Sequence, residues 1–351
     1  MVKSEMVSEA LLLAGETLRA FLRNETVLGM FDFRDRIDER VQLAEAMNPW
    51  FTRQNILMSF KAWGEVLQPA AMKRWMGRYP SISDRIDPQT VAVVMAGNIP
   101  MVGFHDLCCV LLAGHKAMVK LSGHDEVLIP LLFEIMTEAH PELKNRVVFT
   151  TGTISGFDAV IATGSNNSAR YFDYYFGKHP HIIRKNRNSI AVLDGRESFS
   201  NLDELCRDIF DYFGMGCRSV SALLVPKGYD FSNLIVLFDA WDHIGNHNKY
   251  RNNYDYQKSI FIINNLPFID HRNILLLKND NIQSPLAVLH YREYDDTSEV
   301  KGFIEQNRDT LQCVVCTNAI VENTVQFGKT QEPSLWDYAD GVDTMEFLLD
   351  L

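Results

Sequence analysis

From residue 90 onward short β-branched runs alternate with apolar and amphipathic stretches, and this alternation restricts the fold more than any other feature. VAVVMAG (91–97), KAMVKL (116–121), RVVFTTG (146–152) and DAVIATG (158–164) each suit one buried strand, and HIIRKN (181–186) is a candidate fifth. A helix is expected over roughly 101–113, with Gly114 placed to end it, and two more at EVLIPLLFEIMTEA and SARYFDYYF. Strands separated by helices of this length imply a parallel, doubly wound α/β sheet. Ligands on such sheets bind beyond the carboxyl ends of the strands. Asn98, Lys120, Ser122, Gly152, Gly164 and Ser165 all fall there.

The residues before this region read as helical. Ile56, Phe60, Trp63 and Leu67 form one apolar stripe, which Trp75 and Tyr79 continue until Pro80 stops it; SISDRIDPQ (81–89) reads as a linker. A second α/β region opens with SIAVLDG, followed by the helix NLDELCRDIFDYF, the segment SALLVPKGYDF and a helix through 240. Strands are expected at SIFII, NILLL, LAVLHY and QCVVCT. The chain thus divides into a helical region plus a first α/β domain (1–188), a second α/β domain (189–320) and a tail (321–351).

A net charge of −11 argues against a general nucleic-acid or anionic-membrane binder, because either needs a positive surface field. The longest apolar stretch, 91–119, is broken at Asn98-Ile-Pro100 and holds His105 and Asp106, so no membrane span is expected; with no signal layout at the N-terminus, the protein is expected to be cytoplasmic. The basic run 178-KHPHIIRKNR-187 stands out in this acidic chain. It reads either as a solvated strand edge or, through Arg184, Lys185 and Arg187, as a phosphate patch. His243 and His247 have the spacing of a metal pair without the glutamate of a zincin helix, so a hydrogen-bonding pair is expected and no metal.

Six cysteines in a chain this long do not suggest a disulfide framework. Cys108, Cys109, Cys313 and Cys316 lie in apolar runs and read as core. Cys217, in FGMGCRS, has glycines that leave room for a substrate carbonyl, backbone N–H groups able to face an anion, and Arg218 to favour thiolate. Taken alone it is either a nucleophile or a thiol filling a tight turn.

Three motifs in register resemble one superfamily. The string 96-AGNIPMVGFHDLCCVLLAGHKAMVKLSGHD-125, the strand end 158-DAVIATGS-165 and the loop FGMGC are similar to segments of the aldehyde dehydrogenases. Within that superfamily the Gly-Asn-x-Pro form and short catalytic half look most like the acyl-CoA reductases of the LuxC type. The resemblance implies an aldehyde-dehydrogenase-like fold of two α/β domains with the active site between them. It implies Cys217 as the acyl-accepting nucleophile and Asn98 as donor to the thioester oxyanion, together with the Cys217 N–H. Lys120 and Ser122 would contact the adenosine ribose of NADPH or NADH, Gly164 and Ser165 its pyrophosphate, and Gly152 would admit the adenine side.

Departures from the pattern narrow the expected chemistry. Arg184 stands where hydrolytic members carry a water-activating glutamate, and an arginine cannot act as a general base. Asn281 replaces a second glutamate, and Met215 the glutamine before the nucleophile. The expected reaction is therefore NAD(P)H-dependent reduction of an acyl-CoA to the aldehyde through an acyl-Cys217 intermediate, with coenzyme A as the departing thiol. Its rivals are an acylating dehydrogenase running towards acyl-CoA and a non-redox acyl-transfer subunit of a complex. A homo-oligomer or a complex with an acyl-transferring subunit fits either course.

Overall fold

The computed structural model describes residues 3–25, 33–82, 87–316 and 320–351. The chain forms two compact units, Met1–Lys185 with Ser334–Leu351, and Asn186–Pro333.

The first unit begins with α1 (Ser4–Leu22), α2 (Arg34–Met47), α3 (Arg53–Val66) and α4 (Pro69–Met76). Val7, Leu11, Ala14 and Leu18 bury one face of α1, and Ile56 and Phe60 the facing side of α3. The second part of the linker stretch, residues 83–86, lies outside the described residues. Then follow β1 (Thr90–Val94), α5 (Phe104–Leu112), β2 (Lys116–Lys120), α6 (Leu128–Ala139), β3 (Val147–Thr150), β4 (Ala159–Thr163), α7 (Asn166–Phe176) and β5 (His181–Arg184). The strands pair in parallel in the order β3-β2-β1-β4-β5. Val91–Val94 and Ala159–Ala162 are buried along their length, as expected of central strands covered on both faces. β1 lies between β2 and β4, so the strand order reverses there. Such a switch point opens a crevice at the carboxyl edge.

The second unit contains β6 (Asn188–Val192), α8 (Phe199–Phe210), β7 (Val220–Pro226), α9 (Ser232–Phe238), α10 (Asn248–Ile263), β8 (Phe268–His271), β9 (Ile274–Lys278), β10 (Val288–Tyr294), α11 (Thr297–Gln306) and β11 (Leu311–Val315). Its sheet runs β11-β6-β7-β10-β9-β8, parallel except for β8 against β9. The expected strand SIFII is instead the last turn of α10. Tyr250, Tyr254 and Phe261 share the buried face of that helix while Ile262 and Ile263 are exposed, so the helical period prevails over the β-branched run. The edge strand β8 was hidden by its shortness. Thr317, the end of the expected QCVVCT strand, lies outside the described residues.

The tail is not a separate piece. Residues up to Pro333 stay with the second unit, and Ser334–Leu351, including α12 (Thr344–Leu349), joins the first. Leu335, Tyr338, Met345 and Leu348 enter that unit's core. Polar bonds fix them: Trp75 Nε1 donates to the Tyr338 hydroxyl at 2.7 Å, and the His105 and His115 Nε2 atoms lie 2.8 and 2.7 Å from the Leu335 and Leu348 carbonyls. The boundary falls after Lys185, three residues before the one read from the sequence.

Candidate active site

Cys217 lies on the loop that carries the chain from α8 to β7. A capping box between Ser198 and Asn201 starts α8, whose buried face ends at Ile209 and Phe210. Tyr212, Phe213 and Gly214 then take φ of 54°, 58° and 72°, three left-handed residues in succession. Each non-glycine residue in that region costs roughly 1–2 kcal/mol. Aromatic anchoring offsets the cost: Tyr212 is buried, and the Phe213 ring lies 4.6 Å from His247 and 5.9 Å from Tyr250. Gly214 suits its place because a Cβ would stand 3.0 Å from the Ile209 carbonyl oxygen.

The space at Gly216 is already occupied, contrary to the expectation that both glycines make room for substrate. A Cβ there would meet Ser219 Oγ at 3.3 Å and Gln331 Nε2 at 3.5 Å, so this glycine admits the Gln331 amide. Gln331 Nε2 donates to Ser219 Oγ at 3.3 Å. Arg218 Nε donates to the Thr330 carbonyl at 2.5 Å, which directs that guanidinium to the backbone of the 328–331 segment. Asp208 beneath them is 1% exposed and accepts from the Gly328 N–H (2.7 Å), the Thr330 N–H (3.1 Å) and the Thr330 hydroxyl (2.8 Å). Burial raises the Asp208 carboxyl above its ordinary range, and those three donors oppose the rise. Burial also raises Asp211, to about 6, against the pull of Arg207.

Cys217 is exposed, whereas the other five cysteines are buried or half-buried. Burial pushes the Cys108, Cys109 and Cys206 thiols up, which keeps them protonated and inert. Ser189 Oγ donates to the Cys217 carbonyl at 3.0 Å.

In the first unit the carboxyl edge of the sheet gathers the remaining candidates. Val94, Lys120, Thr150 and Ala162 stand level across the sheet, so the residues after them open on the same edge. Asn98 is exposed on the loop after β1. Lys120 donates from Nζ to the Thr151 carbonyl at 2.9 Å, Ser122 Oγ accepts from the His124 N–H at 3.2 Å, and the Gly152 N–H donates to Thr150 Oγ1 at 3.0 Å. Gly164 brings β4 close to Phe172 and Ser168, either of which would stand within 3.0 Å of a Cβ at that position. Ser165 caps α7 by accepting from the Ser168 N–H at 3.2 Å.

Arg184, expected in a phosphate patch, is engaged elsewhere. Arg184 is 4% exposed, ion-paired with Asp106 of α5 and hydrogen-bonded to Thr344 Oγ1 at 2.8 Å. A buried arginine needs such a carboxylate, and α5 supplies one. Arg187 donates to the Leu311 carbonyl at 3.0 Å, which leaves Lys185 as the exposed cation of the three. Asn281 turns its carboxamide back on its own loop, accepting from the Gln283 N–H at 3.0 Å. His247 serves as N-cap of α10, its Nδ1 accepting from the Tyr250 N–H at 3.3 Å. Asp239, Asp242 and His271 lie close enough to share a cation, but Arg272 is already 2.9 Å from Asp242 and 3.9 Å from Asp239.

Residues 34–232 match the family model described as acyl-CoA reductase (LuxC), a span that includes every candidate from Asn98 to Cys217. The chain belongs to the LuxC acyl-CoA reductase family. Members are oxidoreductases of acyl or aldehyde reductase-type chemistry, and the family implies an acyl thioester as substrate. Solved structures agree on the fold. Aldehyde dehydrogenase 21 from Physcomitrella patens, in complex with succinate, is 12% identical with a TM-score of 0.65 over 98% of this chain and 84% of that one. Betaine aldehyde dehydrogenase from Staphylococcus aureus, in complex with NAD+, is 13% identical with a TM-score of 0.57 over 92% and 72%. The indole-3-acetaldehyde dehydrogenase AldA of P. syringae, with NAD+ bound, is 13% identical with a TM-score of 0.60 over 91% and 72%. The architecture is that of the aldehyde dehydrogenases. No curated protein matches the sequence. Among the described residues no helix is long and apolar enough to cross a membrane.

Ser189, Asp208, Thr330 and Gln331 stand outside every motif the sequence displays. Only Asp208 left a signal: it follows Leu205 by three residues and precedes Tyr212 by four, so it falls on the apolar face of its helix.

Proposed function

We propose that the protein reduces an acyl-CoA to its aldehyde at the expense of NADPH or NADH, with Cys217 as the acyl-accepting nucleophile. The exposed Cys217, on a loop braced from beneath by buried polar groups, carries this reading. Its thiolate attacks the thioester carbonyl, forming a C–S bond while coenzyme A leaves as the thiol. Negative charge develops on the carbonyl oxygen, and the Cys217 N–H and the Asn98 side-chain amide are proposed as its donors. A neutral amide suits that task because it stabilises charge without exchanging a proton.

The carboxyl edge of the first unit fits a nicotinamide dinucleotide. The α7 N-terminus behind Ser165 offers N–H groups to a pyrophosphate, and Lys120 and Ser122 offer polar contacts to a ribose. When bound, that cofactor supplies the hydride for the acyl carbon. Cys217 then departs as thiolate as the thiohemiacetal collapses to aldehyde. Arg184, locked in an ion pair, provides no base to activate water, which favours reduction over hydrolysis of the acyl-enzyme. The first unit is accordingly assigned to cofactor binding and the second to the covalent step.

The test is NADPH and NADH oxidation on addition of fatty acyl-CoAs of graded length, with aldehyde detected as product. Cys217→Ala should abolish turnover and the acyl adduct seen by intact mass. Full activity in that variant would sink the proposal.

A further inference from the structure

We infer that Ser189 is a positioning residue for Cys217: its hydroxyl holds the carbonyl of the nucleophile and thereby fixes the backbone that faces the acyl oxyanion. The inference rests on the reading of Cys217 as nucleophile. Ser189 is 0% exposed and is the second residue of β6, beside the Cys217 loop. Both ladders flanking it are irregular at its level. The pairing of β6 with β7 shifts between Ser189 and Ile190, and that of β11 with β6 shifts between Leu311 and Val314. Such bulges re-aim side chains and release backbone groups from regular pairing.

The Ser189 hydroxyl takes up the groups concerned. Its Oγ accepts from the Cys313 N–H at 3.2 Å, lies 3.0 Å from Cys313 Sγ, and donates its one proton to the Cys217 carbonyl at 3.0 Å. Ser221 Oγ lies between two carbonyls, 3.3 Å from that of Ser189 and 2.6 Å from that of Ile282, and its one proton is shared between them with Ile282 the nearer acceptor. A chain of hydroxyls therefore ties the Cys217 loop to the rigid layer of β6, β7 and β11. The peptide bond is planar, so fixing the Cys217 carbonyl fixes the Cys217–Arg218 plane and, through it, the Cys217 Cα that carries both the thiol and the N–H proposed to meet the oxyanion. Acyl attack depends on donors placed to well within an ångström, whereas simple alkylation of an exposed thiol does not.

Two reagents on the intact chain separate these demands. p-Nitrophenyl acetate acylates Cys217 through an oxyanion, and iodoacetamide alkylates it without one. Ser189→Ala should slow acylation roughly tenfold, the effect of one lost hydrogen bond, while alkylation stays within about twofold of wild type. Ser189→Thr, which keeps the hydroxyl, should restore most of the acylation rate. Ser259→Ala, a hydroxyl deletion on α10 that removes a bond to the Asp255 carbonyl of its own helix, should leave both rates unchanged. Equal slowing of both reagents, or no slowing of acylation, would overturn the inference. If Ser189→Ala does not fold, Ser189→Cys takes its place, and an acylation rate equal to that of Ser189→Thr would overturn it. Failure of the underlying reading looks different: the Cys217→Ala protein would then be acylated as fast as wild type.

Discussion

Replacing Asp208 by asparagine should loosen the segment that braces the Cys217 loop, and the cost follows from its three hydrogen bonds. One carboxylate oxygen accepts from the Gly328 N–H, and the other from the Thr330 N–H and hydroxyl. Asparagine has one acceptor oxygen. With that oxygen towards Thr330, its NH2 group faces the Gly328 N–H, donor against donor. The lost charge-assisted bond costs about 1.5–3 kcal/mol, and the two remaining bonds weaken to neutral strength. Removing a buried charge returns part of this, since burial disfavours the Asp208 carboxylate. The net expectation is a loss of about 2 kcal/mol for Asp208→Asn and about 4 kcal/mol for Asp208→Ala, which leaves all three donors unpaired. Urea unfolding followed by tryptophan fluorescence measures the difference. Turnover should fall roughly tenfold in Asp208→Asn, because Gln331 against Gly216 and Thr330 against Arg218 both hang on this segment. An Asp208→Asn protein with unchanged stability and turnover would refute the claim that the carboxylate holds the segment in place.

Asp211 gives a pH test: its folded-state value near 6 lies above the ordinary 3.8, so its contribution is favourable below about pH 4 and lost as pH rises through about 6. Wild type should lose up to about 3 kcal/mol relative to Asp211→Asn between about pH 4 and pH 7; a stability difference independent of pH would exclude burial as the dominant cause. Gly214→Ala forces a Cβ into left-handed backbone against the Ile209 carbonyl and should cost about 1–2 kcal/mol in thermal unfolding. Lys120→Ala should weaken NADPH binding roughly tenfold, read as a smaller ligand-induced rise in melting temperature, while the ligand-free melting temperature changes little.

Much of the fold was legible because local pattern and final environment agree in the central strands. VAVVMAG and DAVIATG read as buried strands, and both are covered on two faces. The misreading of SIFII arose where they disagree. Its residues are β-branched and aromatic, but the helix that contains them is set further upstream, by Tyr250 and Tyr254. The tail was opaque for another reason. Its anchors, Tyr338 on Trp75 and the Leu335 and Leu348 carbonyls on two histidines, join residues more than two hundred positions apart.

The candidate site divides along the same line. Asn98, Lys120, Ser165 and Cys217 stand at strand or helix ends, where glycine and polar residues interrupt an apolar run and can be seen in one dimension. Arg184 stands at a strand end too, yet its partner Asp106 belongs to a helix whose apolar run gave no hint of a buried ion pair. Charge at a strand end is therefore ambiguous until its partner is known. The same holds in reverse for Cys217. Its thiol is exposed and visible in the sequence, while the groups that hold its loop (Ser189, Asp208, Thr330) are buried and ordinary in composition. An acyl-transfer site needs a reachable sulfur and an immobile backbone around it. The first requirement leaves a trace in a short motif. The second is met by hydrogen bonds from β6 and from the 328–331 segment, which only the folded chain brings beside the loop.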